Sequence, residues 1–426
     1  MTNQGLRRAE RVADAAPLPR RAIFTLCCAS MCVISFTVAG PAVYVSAIAR
    51  ELDMGYARQG LFLSALFWGG AASVFLAGIL ADRLGFRPIL LSGATLIAAG
   101  FLLLSAIRSE WEAVAAAGLT GAGVGMLDGV LTPLVCALYP SERTRTANLL
   151  HAFYPAGIVL SMLGLLALMG GGWGWRAGFV ALGMTPLVLL AGYAVVPLPR
   201  HSHEGERRMS SLRVARQGAF QVFAVAMFLG AAAETAPTMW VPSLVENAGG
   251  GRPLFGALGM LLFSVAMLFG RVSVVAVVRR LGARRLFVFG GALCCAGFVI
   301  SAIPAGALTG MAAPAAEGAA RGPAGAGSPW LEALPAILGL CGVGFSLAGF
   351  WPTILACAGD RFPEAGASMF SLLTAIGCAG AIMGPIVVGV VAEQTGLRGA
   401  MGAMTVLPLA LMWLMGRALR APAADF

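Results

Sequence analysis

The chain has 426 residues, of which 59% are hydrophobic and only 11% charged, and its formal net charge is +10. Soluble domains carry roughly 25% charged residues, so a water-soluble globule is excluded, and a chain that meets a lipid bilayer on its outer surface is what remains. The positive charge does not point to nucleic acid: all 29 basic residues are Arg, set in short clusters between apolar runs rather than along one face, which is the footprint of membrane topology.

Residues 1–22 are polar and basic, with Arg7, Arg8, Arg11, Arg20 and Arg21, and read as a cytoplasmic N-terminal segment. The apolar run that follows exceeds the about 7–15 residues of a signal-peptide core and reads as an uncleaved first membrane helix. A helix needs about 20 apolar residues to cross the hydrocarbon. Twelve such spans are expected, near 23–49, 58–81, 87–107, 112–139, 146–169, 176–197, 218–244, 254–278, 284–304, 331–357, 366–391 and 397–418. With the N-terminus inside, 21 Arg fall on inner segments and 7 on outer ones, and Arg271 lies within span 8. That asymmetry predicts both termini in the cytoplasm.

The expected fold is therefore an all-α integral membrane protein of two six-helix bundles. The N-terminal bundle covers 23–197 and the C-terminal bundle 218–418, with a cytoplasmic linker at 198–217 and a cytoplasmic tail at 419–426. His201 and His203 in the linker read as solvated side chains, since two His alone do not make a metal site. The outer stretch 305–329 is Ala/Gly/Pro-rich and reads as a flexible loop. All nine Cys lie inside apolar runs with no C-x-x-C spacing, so they read as small buried hydrophobes rather than disulfides or metal ligands.

The two halves are copies. At an offset of 197, Arg83, Leu84, Gly85, Arg87, Gly93, Gly100 and Phe101 fall on Arg280, Leu281, Gly282, Arg284, Gly290, Gly297 and Phe298. Span 1 falls on span 7 at 196, with Pro41 on Pro237 and Tyr44 on Trp240. Span 4 falls on span 10 at 219, with Gly123-Val124-Gly125 on Gly342-Val343-Gly344 and Pro133 on Pro352. Each half thus carries a charged, glycine-hinged turn between its second and third spans, and parallel repeats of this kind are a transporter architecture. Gly78 and Gly85 are expected to let neighbouring backbones approach closely, Asp82 to cap a helix start, and Arg83, Arg87, Arg280 and Arg284 to hold the turns in the aqueous interface as a gating element.

Gly78-x-x-x-Asp82-Arg83-x-Gly85-x-Arg87 resembles the loop signature of the major facilitator superfamily. ANLLHAFYPAGIV (147–159), AAAETAPTMWVPSLVENAG (231–249) and the stretch 344–380 look more narrowly like the fucose/glucose–galactose permease branch. That resemblance implies proton-coupled uptake of neutral sugars; no cofactor is expected, and the absence of Lys with the Ala/Gly/Arg bias points to a GC-rich bacterial genome and hence an inner-membrane protein. The pattern of that branch includes an acid in span 1, which this chain lacks between Arg21 and Arg50.

Three ionisable residues lie deep in spans: Asp128 in span 4, His151 in span 5 and Glu234 in span 7. A mid-helix Asp costs roughly 2.5–3.5 kcal/mol on insertion, so each must face a partner or a wet cavity. All three are proton-coupling candidates, since a carboxyl in a low-dielectric cavity can exchange a proton near neutral pH; the alternative is a structural hydrogen bond between helices. Pro237 should kink or break span 7 beside Glu234. Sugar-binding candidates are Trp240, Tyr154, Gln221, Trp351, Thr353 and Thr374, with Trp240 foremost because it lies within two turns of Glu234. Pairing of Arg271 with either acid is left open at this point.

The composite expectation is a monomeric secondary transporter moving a small polar solute, a sugar by resemblance, with protons by alternating access. A proton-driven exporter is the alternative, although span 4 holds no Arg and span 5 no Gly-Pro, the features the exporter branch would call for. A non-transporting membrane sensor is the alternative of another class. Enzymatic chemistry is not expected: no nucleophile–base pair, metal cluster or phosphate loop appears, and without Lys a G-x-x-x-x-G-K-[ST] loop cannot exist.

Overall fold

The computed structural model describes residues 19–199, 216–304, 328–362 and 366–419, and among these only helices form regular structure. The N-terminal half contains α1 (Arg20–Leu52), α2 (Tyr56–Leu84), α3 (Phe86–Ala106), α4 (Glu110–Leu138), α5 (Arg143–Gly170), α6 (Trp175–Met184) and α7 (Pro186–Val195). The C-terminal half contains α8 (Gly218–Ala248), α9 (Pro253–Leu281), α10 (Ala283–Ala302), α11 (Pro329–Leu347), α12 (Phe350–Arg361), α13 (Gly366–Ala403) and α14 (Val406–Ala418). The linker with His201 and His203, most of the 305–329 loop, and Arg7, Arg8 and Arg11 lie outside the described residues.

Among the described residues eleven helical stretches are long and apolar enough to cross a membrane, and the last of them, Leu372–Ala418, is 47 residues long. At 1.5 Å per residue it would measure about 70 Å, more than twice the about 30 Å of hydrocarbon. Gly396 breaks it with φ 71° and ψ 166°, so it makes two crossings and the total is twelve. The chain is an all-α integral membrane protein of two six-helix bundles, as the hydropathy pattern implies.

Two spans are built from pairs of helices where one was expected. α6 gives way to α7 at Pro186, which has no N–H to offer the Leu182 carbonyl. The Thr185 hydroxyl supplies that hydrogen bond instead, at 2.7 Å. α11 gives way to α12 around Gly349. By contrast, the break expected at Pro237 does not occur. α8 runs without interruption through Pro237 and Pro242, and between Ala231 and Val245 all but Glu234 and Thr235 are buried. Neighbours on every side hold the helix although each proline removes one backbone bond.

The repeat is visible in the packing. Thr120 of α4 seats against Gly100 of α3, and Gly339 of α11 seats against Gly297 of α10, the positions related by 219 and 197. Small residues let these backbones meet where side chains would hold them apart. The charged turns also repeat: Gly85 and Gly282 have φ of +82° and +81°, a conformation open to glycine at little cost and strained for other residues. That corrects the close-packing role expected of Gly78 and Gly85. A Cβ at either would meet no described atom within 4 Å, so Gly85 is needed for its backbone angle and Gly78 for neither reason.

The halves meet at the end where α1 turns into α2. There Arg50 pairs with Glu246 at 2.7 Å, Ser46 bonds Ser243 at 3.1 Å, and Glu393 accepts a hydrogen bond from the Ala57 N–H at 2.9 Å. One to two turns further in, Ser64 donates to the Ile382 carbonyl at 2.9 Å. A Cβ at Gly60 would collide with the Pro385 carbonyl. The bundles are closed against each other at this end.

Candidate functional site

Asp128 and Thr132 lie one turn apart on α4 and so share a face of that helix. The Thr132 hydroxyl is hydrogen-bonded to His151 Nε2 of α5 at 3.1 Å, which sets the imidazole about one helical turn from the Asp128 carboxylate. The two ionisable groups act on each other electrostatically, and both remain accessible. Tyr154, three residues after His151, is half-buried on the same side of α5.

α5 packs against α9 of the other half, and α9 brings Arg271. Its Nη2 donates to Glu234 Oε1 of α8 at 2.8 Å, with the arginine side chain 33% exposed and the glutamate 16%. The Nε of Arg271 is buried and has no hydrogen-bond partner among the described residues. Arg271 reaches His151 electrostatically, and Tyr154 lies in the field of Glu234, Arg271 and Asp128 together. Cys378 of α13, half-buried, lies in the field of Asp128. Five helices from both bundles therefore converge on one set of charges: Asp128, His151, Glu234 and Arg271, with Tyr154 and Cys378 beside them.

The structure brings together all three proton-coupling candidates and one substrate candidate, Tyr154. Thr374 is exposed on α13 one turn before Cys378. Of the remaining candidates, Trp240 and Gln221 lie away from the charge set. Trp240 is 0% exposed; its indole N–H donates to the Pro385 carbonyl at 3.1 Å and its ring tilts against Tyr56. It belongs to the closed junction between the halves, which corrects its place as the foremost aromatic contact. Thr353 is buried. Trp351 packs its ring over Gly377 of α13. Gln221 is exposed near the start of α8, three turns and more from Glu234.

Two participants were not among the site candidates. Arg271 was visible as the Arg set well inside a span rather than at its end, and that was the signal that could have placed it. Thr132 carried none, since a hydroxyl on a membrane helix usually bonds its own backbone. In the turn motif, Arg87 donates to the Val196 carbonyl at 2.7 Å, tying the turn to the end of α7, and Arg83, Arg280 and Arg284 are exposed. The side chain of Asp82 lies outside the described residues.

Among the described residues no cluster of His, Cys, Asp or Glu is able to hold a metal ion. What the arrangement can do is move charge. With both acids ionised and His151 neutral, the net charge is −1. Glu234 is balanced by Arg271, so Asp128 is the acid whose charge has no full counter-ion, with His151 one turn away to share a proton.

A Major Facilitator Superfamily model matches residues 25–322. An uncharacterized MFS-type transporter of Yersinia pestis is 23% identical over 84% of this chain and 86% of its own length. A D-xylose transporter of Levilactobacillus brevis is 26% identical over 36% of this chain and 34% of its own. Among solved structures, a nucleoside transporter superposes with a TM-score of 0.74 at 12% identity, over 95% of this chain and 99% of that one. A D-xylose–proton symporter superposes at 0.70 and 16% identity, over 92% and 97%; at such identities the likeness is one of fold. The family match covers most of the chain, and the repeat and the twelve-span bundle agree with it: this chain belongs to the major facilitator superfamily of membrane transporters.

Proposed function

We propose that the chain is a proton-coupled transporter of a small, neutral, polar solute, a sugar, working by alternating access. The observation that carries this reading is the charge set shared between the bundles. Asp128 and His151 come from the N-terminal half and Glu234 and Arg271 from the C-terminal half, so rocking one half against the other changes which groups face each other. A net charge of −1 at the site disfavours an anionic solute and favours a neutral one that arrives with a proton. In this reading Asp128 takes the proton and His151 relays it. The Glu234–Arg271 pair offers carboxylate and guanidinium edges to solute hydroxyls, and Tyr154 supplies an aromatic face. A D-xylose transporter similar to part of this chain supports the sugar class, as does the resemblance of the stretches 147–159, 231–249 and 344–380 to the fucose/glucose–galactose permease branch. In the same reading the Arg-rich linker 198–217 and the two glycine-hinged turns face the cytoplasm, and the protein works as a monomer in a bacterial inner membrane.

The test is uptake of labelled hexoses, deoxyhexoses and pentoses by proteoliposomes of known orientation, with and without an inward proton gradient. Gradient-dependent accumulation that Asp128→Asn abolishes, with exchange of solute retained, supports the reading. Sugar uptake indifferent to the gradient overturns proton coupling. Uptake of a monocarboxylate or aromatic acid, with no sugar uptake, overturns the solute class.

A further inference from the structure

The closed junction is built asymmetrically on symmetric positions. The offset of 196 that relates α1 to α8 carries Arg50 onto Glu246, and these two residues form the ion pair that joins the halves, at 2.7 Å. Two copies of one position therefore meet across the pseudo-twofold axis, one cationic and one anionic. Glu246 is 1% exposed and Arg50 54%, so the carboxylate is committed to this contact while the guanidinium reaches in from water.

A second acid of the C-terminal half works on the same turn. Glu393 of α13 accepts from the Ala57 N–H at the start of α2. The two carboxylates therefore grip both ends of the α1–α2 turn: Glu246 the last turn of α1, Glu393 the first turn of α2. Between them Asn247 Nδ2 approaches the Tyr56 hydroxyl at 3.4 Å, and the Tyr56 ring packs on buried Trp240.

We propose that Glu246 and Glu393 form a two-point carboxylate clamp on the α1–α2 turn, and that release of the Arg50–Glu246 pair is the step that lets this end of the transporter open. The clamp sets the balance between the two access states without touching the solute. Like-charged residues at positions 50 and 246 would repel across the axis; the opposite charges found there turn the symmetry of the repeat into an attraction.

The test needs no solute, so its failure is distinct from a failure of the functional reading. Spin labels are placed on Trp173→Cys and Arg252→Cys, exposed residues of opposite halves at this end, with the nine native cysteines replaced and folding checked by monodispersity in nanodiscs. Pulsed dipolar spectroscopy then reads the ratio of the long-distance to the short-distance population. Arg50→Gln and Glu246→Gln should each raise that ratio about tenfold, as loss of a charge-assisted hydrogen bond would. Arg50→Gln, which leaves the buried Glu246 carboxylate unpaired, should move the ratio at least as far as Glu246→Gln, and the double variant should match the milder single one, because it removes the same contact without stranding a charge. Glu393→Gln, which keeps an acceptor for the Ala57 N–H, should move the ratio less than Glu393→Ala. Single variants that leave the ratio unchanged would overturn the proposal, as would a double variant that multiplies the two effects.

Discussion

The Glu234–Arg271 pair makes a prediction about stability that follows from the chemistry of its two members. At 2.8 Å the gross attraction is about 6 kcal/mol at an effective dielectric of 20, most of it offset by the water each group has given up. Breaking a buried pair costs about 3–5 kcal/mol, whereas an exposed one is worth about 0–1 kcal/mol. With Arg271 33% exposed and Glu234 16%, the loss should fall between those limits, at about 2 kcal/mol. The two substitutions should differ. Glu234→Gln strands a guanidinium that cannot shed its proton. Arg271→Gln strands a carboxylate, which can take up a proton and become neutral. Glu234→Gln should therefore cost about 2 kcal/mol and Arg271→Gln about 1 kcal/mol, with the double variant close to the milder single one. Each half has the size of a domain for which 1 kcal/mol shifts Tm by about 2–4 °C, so thermal unfolding in detergent resolves the order. A fall in Tm for Arg271→Gln equal to or larger than that for Glu234→Gln would refute the reasoning, since it would mean that the carboxylate, not the cation, is the charge the site cannot tolerate alone.

Two further substitutions test the scaffold. Gly85→Ala should destabilise by about 1–3 kcal/mol through its backbone angles alone, φ 82° and ψ 174° being a region essentially reserved for glycine, whereas Gly78→Ala, inside α2 with open space around it, should be neutral or stabilising by up to about 1 kcal/mol; paired melting curves of the two variants check the contrast. Gly121→Ala would drive a methyl into the Leu66 backbone where α4 crosses α2. Because a backbone cannot rotate away as a side chain can, the cost should reach or exceed about 3 kcal/mol, read as loss of monodisperse protein on size-exclusion chromatography.

Most of the fold was legible because a bilayer leaves few options. Hydropathy marked every span, and the helices begin and end within a few residues of the expected positions once α13 is divided at Gly396. The internal repeat was legible because it is carried by glycines and arginines that few other contexts would place in that order. Where the reading failed, it failed on packing. Pro237 signals a break by its chemistry, yet α8 continues through it among buried neighbours. Thr185–Pro186 carries the same chemical signal and does break, in α6–α7, where only Trp175, Gly178, Phe179, Leu182 and Gly183 of α6 and Pro186, Leu189 and Tyr193 of α7 are buried. Trp240 was placed in the site because it is near Glu234 along the chain. Six residues along a helix rotate a side chain by about 600°, which is 120° short of two full turns, and that turns the indole away to Tyr56 and Pro385. The charges were legible as expensive residues, but their pairing was not, because Arg271 and Glu234 sit on different helices and no spacing rule links them.

The repeat also explains why the chemistry had to be asymmetric. Glu234 falls on Val38, Asp128 on Leu347 and Arg271 on Val74 when the halves are matched; in each case one half keeps the ionisable group and the other an apolar one. The backbone positions that need no charge do the opposite: Gly85 and Gly282 share a positive φ, and Gly100 and Gly297 share a helix crossing. Near a pseudo-twofold axis a side chain lies close to its own copy, so a duplicated acid would face an acid and both would lie in low dielectric, where like charges repel most strongly. An acid beside the axis is tolerable only if its copy is neutral, as for Glu234 and Asp128, or of opposite sign, as for Arg50 and Glu246. Symmetry is thus kept where two bundles must share one shape, and broken at each of these charges.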